Sequence, residues 1–330
     1  MENFSYKALI VEEPEKNSFI RNIKTADTND LPNGDVLVRV NYSSLNYKDA
    51  LSATGNRGVT RQYPHTPGID AAGIVEKSFV DTVKEKEKVI VTSYDLGMNT
   101  SGGFGQYIRV PEDWVVKLPD GLDLKQSMIF GTAGFTAGMS VFKLTQTVRP
   151  GHGDILVTGA TGGVGSLACG ILSHLGYAVT AVTGKTDTAM LNGLGVKTII
   201  SRNDFLENTK PPVLKPQWAG VIDTVGGEIL ATAIKSTKPD GIVTCCGNVA
   251  SPDLPINVFP FILRGVSLLG IDSQHCPMAF RSAVWEKLAT EWKFDGLDTL
   301  YDEIFLDQLE DKIKLILKGE IKGRTLINLK

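Results

Sequence analysis

The run Asp154-Ile-Leu-Val-Thr-Gly-Ala-Thr-Gly-Gly-Val-Gly-Ser166 carries the sharpest chemical signal in the chain: a short apolar strand passing through a glycine-rich turn into a helix. Small residues at Ala160, Gly162 and Gly165 let the backbone turn tightly, approach a ligand closely and pack helix on strand. The helix N-terminus offers N–H groups without internal partners, a natural seat for a pyrophosphate. The pattern predicts a dinucleotide cradle, and with it redox chemistry. About 20 residues beyond such glycines an NAD-preferring site usually places a carboxylate. Here the second strand ends in Thr183, Gly184 and Lys185 instead. A hydroxyl, a backbone N–H and an ammonium can hold a 2′-phosphate that a carboxylate would repel, so NADPH is favoured over NADH. Arg202, after the third strand, supplies a second positive charge or a surface for the adenine. The alternative leaves Lys185 as a solvent-facing loop lysine and gives Asp187 the acidic role.

Those residues require a parallel sheet whose C-terminal edge gathers the turns. From residue 124 the pattern supplies one. It predicts helices over 124–144, 164–175, 188–194 and 228–236, alternating with strands at 154, 178–183, 198–200, 220–223 and 241–245 and an apolar run over 266–271. Residues 5–120 read instead as short strands over 6–12, 35–42, 68–76, 88–93 and 107–110, punctuated by Gly, Pro, Asn and Asp. Helices over 279–291 and 306–317 and a last strand over 324–328 close the chain, the strand returning to the β-rich part. At 330 residues, two domains are expected. The prediction is an α/β protein with a β-rich catalytic and substrate domain, 1–123 with 275–330, and a doubly wound parallel-sheet domain, 124–274, that binds NADP(H).

Composition narrows the partners. The net charge is −3, and lysines alternate with acids, as in Val83-Lys-Glu-Lys-Glu-Lys-Val89, which reads as a solvated face and not as a nucleic-acid surface. The first residues lack the basic and long apolar segments of a secretory signal, and no apolar run reaches membrane-spanning length. Cys169, Cys245, Cys246 and Cys276 show neither a disulfide framework nor zinc spacing, which suits a reducing cytoplasm. His65 and His152 stand in loops without a thiolate nearby, so no metal ligand set is expected. The glycines also satisfy Thr158-Gly-x-x-x-Gly163-x-Gly165, with which short-chain dehydrogenases begin. Those enzymes carry it near the N-terminus and use a Tyr-x-x-x-Lys pair, and no tyrosine here precedes a lysine by four positions.

The order of the domains and the motifs Leu45-Asn-Tyr-Lys-Asp-Ala50, Pro67-Gly-Ile-Asp-Ala-Ala-Gly73, Gly103-Phe-Gly-Gln-Tyr107, Gly131-Thr-Ala-Gly-Phe-Thr-Ala137, Asp223-Thr-Val-Gly-Gly227 and Gly323-Arg-Thr-Leu326 resemble the zinc-free medium-chain dehydrogenase/reductases. Within them the chain is similar to the YhdH/YhfP subgroup of quinone oxidoreductases, which includes NADPH-dependent acryloyl-CoA reductases. The resemblance covers essentially the whole chain and implies a GroES-like domain joined to a Rossmann domain. Zinc-dependent members have a catalytic Cys in place of Asn46, Gly-His-Glu in place of Gly68-Ile-Asp70, and a four-cysteine lobe absent here. The resemblance further implies pyrophosphate and nicotinamide contacts from Thr161, Gly162, Gly163 and Val164, and 2′-phosphate contacts from Thr183, Gly184, Lys185 and Arg202. It implies contacts around the nicotinamide end from Tyr47, Asn248 and Ser273, and a homodimer in which the strand near 266–271 pairs with its copy.

Hydride transfer without a metal suits an acceptor already polarised by conjugation, such as an enone, an enoyl thioester or a quinone. The negative charge developing on the acceptor's oxygen needs a donor, and Tyr47 or the Asn46 amide fits that role. Tyr47 or water would supply the proton. In the structural alternatives Tyr47 packs on the cofactor and Asp49 caps a helix. Arg57, Arg61, Lys48 and Arg264 are the basic candidates for a CoA thioester. A quinone needs only a flat apolar slot, and a non-catalytic NADPH-binding redox sensor would keep the cradle without turnover.

Overall fold

The computed structural model describes residues 3–330, which form two compact units. The first runs up to Thr132 and takes in Gln274–Ala289 and Tyr301–Lys330; the second comprises Ala133–Ser273 and Thr290–Leu300. The division thus falls at 132/133, whereas the sequence placed it at 123/124, and residues 290–300 return to the second unit. That return has a packing cause. Trp292 and Phe294 are buried, and the Phe294 ring lies so close to Gly170 that a Cβ there would stand 2.4 Å from it.

In chain order the first unit contributes β1 (Ser5–Glu15), β2 (Ser18–Asp27), β3 (Val36–Ser44), α1 (Tyr47–Ala53), β4 (Asp70–Ser78), β5 (Lys88–Thr92), β6 (Tyr107–Val110) and β7 (Val115–Lys117). β1 and β2 form a hairpin. No residue of β2 is buried, so the strand lacks the apolar alternation that would have announced it in the sequence. Helix α2 (Leu124–Thr145) breaks at Gly131 (φ 51°, ψ −156°), where a single continuous helix was expected.

The second unit holds β8 (Ile155–Thr158), α3 (Gly163–His174), β9 (Val179–Thr183), α4 (Ala189–Gly193), β10 (Thr198–Ser201), α5 (Arg202–Phe205), β11 (Trp218–Asp223), α6 (Gly227–Lys235), β12 (Thr237–Cys245), α7 (Phe259–Arg264) and β13 (Ser267–Gly270). Its six strands lie in the order β10-β9-β8-β11-β12-β13, and every pair is parallel. Counted from β8, that is the 3-2-1-4-5-6 order of a Rossmann sheet, whose ligand crevice lies beyond the strand C-termini where the order reverses. β8, β9 and β11 are buried along their whole length, as expected of strands covered on both faces.

Returning to the first unit, α8 (Met278–Ala289), β14 (Tyr301–Phe305), α9 (Leu309–Leu317) and β15 (Arg324–Asn328) complete the chain. β15 inserts between β14 and β3 in the sheet β14-β15-β3-β4-β5-β7, to which β6 adds by pairing with β3. Val38, Val40, Val89, Val91, Ile108 and Ile327 form part of the core of this unit. The antiparallel register Leu326↔Ser44 has a functional consequence, because it carries Arg324 to the turn between β3 and α1.

Candidate functional site

The glycine turn of the second unit is built as a cradle. Gly159 takes φ 59°, and a Cβ on Gly165 would stand 2.4 Å from the Gly159 carbonyl oxygen, so nothing larger than glycine lets α3 start this close to β8. No side chain caps α3. The N–H groups of its first turn, at Gly163, Val164 and Gly165, therefore have no acceptor within the helix and no capping oxygen. Beneath the turn the Asp223 carboxylate, fully buried at the end of β11, accepts from Thr158 Oγ1 at 2.7 Å and from the N–H groups of Val225 and Gly226. Burial raises the pKa of Asp223, and those three donors oppose the rise.

Four residues meet beside this turn. Thr161 and Thr183 share a hydroxyl hydrogen bond of 2.9 Å, and Thr183 Oγ1 accepts from the Lys185 N–H at 3.1 Å. The Arg202 guanidinium lies against Gly184, where a Cβ would come within 2.8 Å of it. The structure therefore brings Thr183, Gly184, Lys185 and Arg202 to one corner of the sheet, at the ends of β9 and β10. Gly162, Gly163 and Val164 line the neighbouring turn. Across the same sheet edge, Cys245, Cys246, Gly247, Asn248, Gly270, Ile271 and Asp272 line a cavity of about 560 Å³ at the ends of β12 and β13, and Ser273 follows it in the chain. Burial raises the thiol pKa of Cys246, with the Asp223 charge adding to the effect.

Tyr47 and Asn46 belong to the first unit, at the start of α1. Tyr47 is 39% exposed, and its hydroxyl has no hydrogen-bond partner among the described residues. Asn46 is different. Its amide Nδ2 donates to Asp70 Oδ2 at 2.8 Å, with longer contacts to Asp49 Oδ2 and the Ser44 carbonyl, and its Oδ1 accepts from Arg324 Nη1 at 3.3 Å. An amide so fully engaged has no N–H left for a further acceptor, whereas the Tyr47 hydroxyl is uncommitted among the described residues.

The groups that engage Asn46 were not anticipated as site residues. Asp49, Asp70 and Arg324 are buried together. Asp70 Oδ2 accepts from Ser44 Oγ at 2.6 Å and Oδ1 from Thr132 Oγ1 at 2.6 Å, while Arg324 stands 3.8 Å from Asp70. The break at Gly131 belongs to this cluster: a Cβ there would lie 2.4 Å from Asp70 Oδ2, and the freed Thr132 N–H donates to both Asp70 oxygens at 3.0 Å. The available sequence signal was a charged residue within each of two otherwise apolar strand runs, Ile69-Asp-Ala-Ala72 and Arg324-Thr-Leu-Ile327.

Three of the four expected basic residues are engaged. Arg57 pairs with Glu13 and donates to the Arg61 carbonyl, Lys48 donates to Gln274 Oε1 at 2.8 Å, and Arg264 donates to the carbonyls of Leu214, Lys235 and Thr237. Among the described residues no group of three or more His, Cys, Asp and Glu could hold a metal ion. At the positions where zinc-dependent members carry their ligands stand Asn46, Ile69 and Asp70, with Asn46 and Asp70 bonded to each other.

The chain matches two family models, "Alcohol dehydrogenase GroES-like domain" over residues 32–120 and "Zinc-binding dehydrogenase" over residues 163–290. Acrylyl-CoA reductase AcuI of Ruegeria pomeroyi is 43% identical over 327 residues, covering 98% of this chain and 99% of that protein. YhfP of Bacillus subtilis is 45% identical over 310 residues, or 93% of this chain and 94% of that protein. Its crystal structure with NAD bound superposes with a TM-score of 0.96, covering 99% of this chain and 100% of that one. The yhdH oxidoreductase of Salmonella enterica, solved in complex with NADP, is 40% identical with a TM-score of 0.95 over 98% of this chain and 100% of that one. With a GroES-like unit, a Rossmann unit and such relatives along nearly its full length, the chain belongs to the medium-chain dehydrogenase/reductase family, in its quinone oxidoreductase-like branch.

Proposed function

We propose that this protein is an NADPH-dependent reductase of an activated carbon–carbon double bond, with an enoyl thioester of acryloyl-CoA type as substrate. The observation that carries the reading is the corner formed by Thr183, Gly184, Lys185 and Arg202 beside an uncapped helix N-terminus. Its two cations and hydroxyl, with no carboxylate at the strand end, fit a 2′-phosphate. The first-turn amides of α3, together with Thr161, Gly162, Gly163 and Val164, fit the pyrophosphate. Asn248 and Ser273, with Tyr47, are assigned to the nicotinamide end. The relative AcuI is an acrylyl-CoA reductase, and the Salmonella relative binds NADP.

When bound, the cofactor supplies hydride to a carbon conjugated with a carbonyl. The chain's own part is to stabilise the charge that develops on the acceptor's oxygen and to provide a proton. Tyr47 is the residue assigned to that donation, its hydroxyl being free where the Asn46 amide is not. A quinone acceptor is a second reading. It is favoured by the engagement of Arg57, Lys48 and Arg264 within the protein, since a quinone asks for no basic contacts.

We further infer a homodimer formed through β13, the edge strand of the Rossmann sheet. In support, α7, which packs against β12 and leads into β13, exposes Phe259, Ile262 and Leu263, with Val258 just before it, an apolar patch next in the chain to a strand at the sheet's edge. A cytoplasmic location is inferred from four cysteines that are all free thiols. No helix among the described residues is long and apolar enough to cross a membrane. The deciding assay follows NADPH oxidation at 340 nm with acryloyl-CoA, a simple 2-alkenal and 1,4-benzoquinone, with NADH in parallel. Preference for the thioester supports the first reading and quinone-only turnover the second. NADPH binding without oxidation of any acceptor would overturn both in favour of a sensor.

A further inference from the structure

The cluster behind Tyr47 holds two buried carboxylates against one guanidinium. Asp49, the third residue of α1, sends its Oδ2 back to the Asn46 N–H at 2.7 Å and its Oδ1 across to the Ile69 N–H at 2.8 Å. A single side chain thus ties the first turn of α1 to the backbone that leads into β4. The turn is held on its other side by Arg324, which donates to the Leu45 carbonyl at 3.2 Å and to Asn46 Oδ1, and by Asp70 through Asn46 Nδ2. Tyr47 sits between these anchors in the chain and makes no hydrogen bond of its own among the described residues.

We propose that Asp49 is a positioning residue for Tyr47, its carboxylate and the Asp70–Arg324 pair together fixing the turn that presents the tyrosine hydroxyl. The role rests on the reading of Tyr47 as the donor. Every hydrogen bond that Asp49 receives comes from an N–H, so the ionised carboxylate fits the site, and a protonated one accepts those bonds more weakly and carries an O–H for which none of these partners is an acceptor. Burial first, and the Asp70 charge second, push Asp49 up to about 7. The charged groups facing it are Asp70 from β4 and Arg324 from β15. Near neutral pH the turn therefore changes between a tied form and a loosened one, and the tyrosine moves with it.

The test reads the tyrosine directly. The protein is labelled with 3-fluorotyrosine, the Tyr47 resonance is assigned by its loss in Tyr47→Phe, and its 19F shift is followed from pH 5.5 to 8.5. The expected result is a titration with a midpoint near 7 in the wild type, no such step in Asp49→Asn, and a midpoint lowered in Asp70→Asn, where the like charge is gone. In parallel, kcat should rise with pH through the same midpoint. In Asp49→Asn it should fall about tenfold and lose that limb, with the KM for NADPH changing less than about twofold. A flat wild-type resonance, or an identical titration in Asp49→Asn, overturns the proposal even if the enzyme turns over. Absence of NADPH oxidation with an intact 19F titration would instead remove the catalytic reading of Tyr47 and leave the positioning of its side chain standing.

Discussion

Replacing Arg324 with Met removes the guanidinium that stands against both Asp49 and Asp70 and tests whether the buried network holds the first unit together. The guanidinium is 3% exposed and donates to the carbonyls of Ile129 and Leu45, to Asn46 Oδ1 and to Ser44 Oγ at 2.8 to 3.3 Å. Methionine approximates its volume but leaves two backbone carbonyls without this donor and two carboxylates without this charge. Removing one partner of a buried pair costs about 3–5 kcal/mol, which for a unit of this size lowers the melting temperature by roughly 6–20 °C. The loss depends on pH with a definite sign. Asp49 titrates at about 7 when folded, above its value in an unfolded chain. Between the two values the folded protein binds more protons, so stability falls as pH rises across that window. Without Arg324 the Asp49 value rises further and the window extends upward. Calorimetry should therefore find a greater loss at pH 8 than at pH 6, with the transition of the first unit affected most. A melting temperature within about 2 °C of the wild type, or an equal loss at both pH values, would refute the account.

The cofactor corner gives its own tests. Lys185→Ala should raise the KM for NADPH by about tenfold or more while leaving that for NADH nearly unchanged, as expected for one charge-assisted contact to a phosphate; equal effects in steady-state kinetics remove the 2′-phosphate assignment. Gly165→Ala should abolish measurable binding of either dinucleotide by fluorescence titration, because its Cβ would stand 2.4 Å from the Gly159 oxygen and push α3 off the turn. Binding within about twofold of the wild type would show that the cradle tolerates the shift. Ile262→Asp, at a position 68% exposed, should turn a dimer into a monomer by light scattering, and an unchanged mass refutes the β13 interface.

The Rossmann unit was legible because its signals are local. A strand, a glycine turn and a helix follow one another in the chain, and Thr183, Gly184 and Lys185 announce themselves by what stands at the end of the next strand. β8, α3 and β9 lie within a residue or two of their expected places. The exposed strand β2 was invisible because pairing with β1 forms it without a buried face. The kink at Gly131 was equally hidden, since residues 124–145 have helical composition and only contact with Asp70 and Ser44 requires the break.

The same distinction separates the cradle of the second unit from the network of the first. Adjacent residues determine the cradle, because its uncapped amides come from one turn and its helix. The network behind Tyr47 joins Ser44, Asn46 and Asp49 to Asp70, Thr132 and Arg324, residues up to 280 positions apart. The amino-acid types at these places are visible in the chain. That the Asn46 amide is fully engaged depends on the insertion of β15 beside β3, which brings in Arg324, and on the pairing of β4 with β3, which brings in Asp70; burial beside Asp70 is what pushes Asp49 up, and long-range strand pairings of that kind leave no local trace in the sequence.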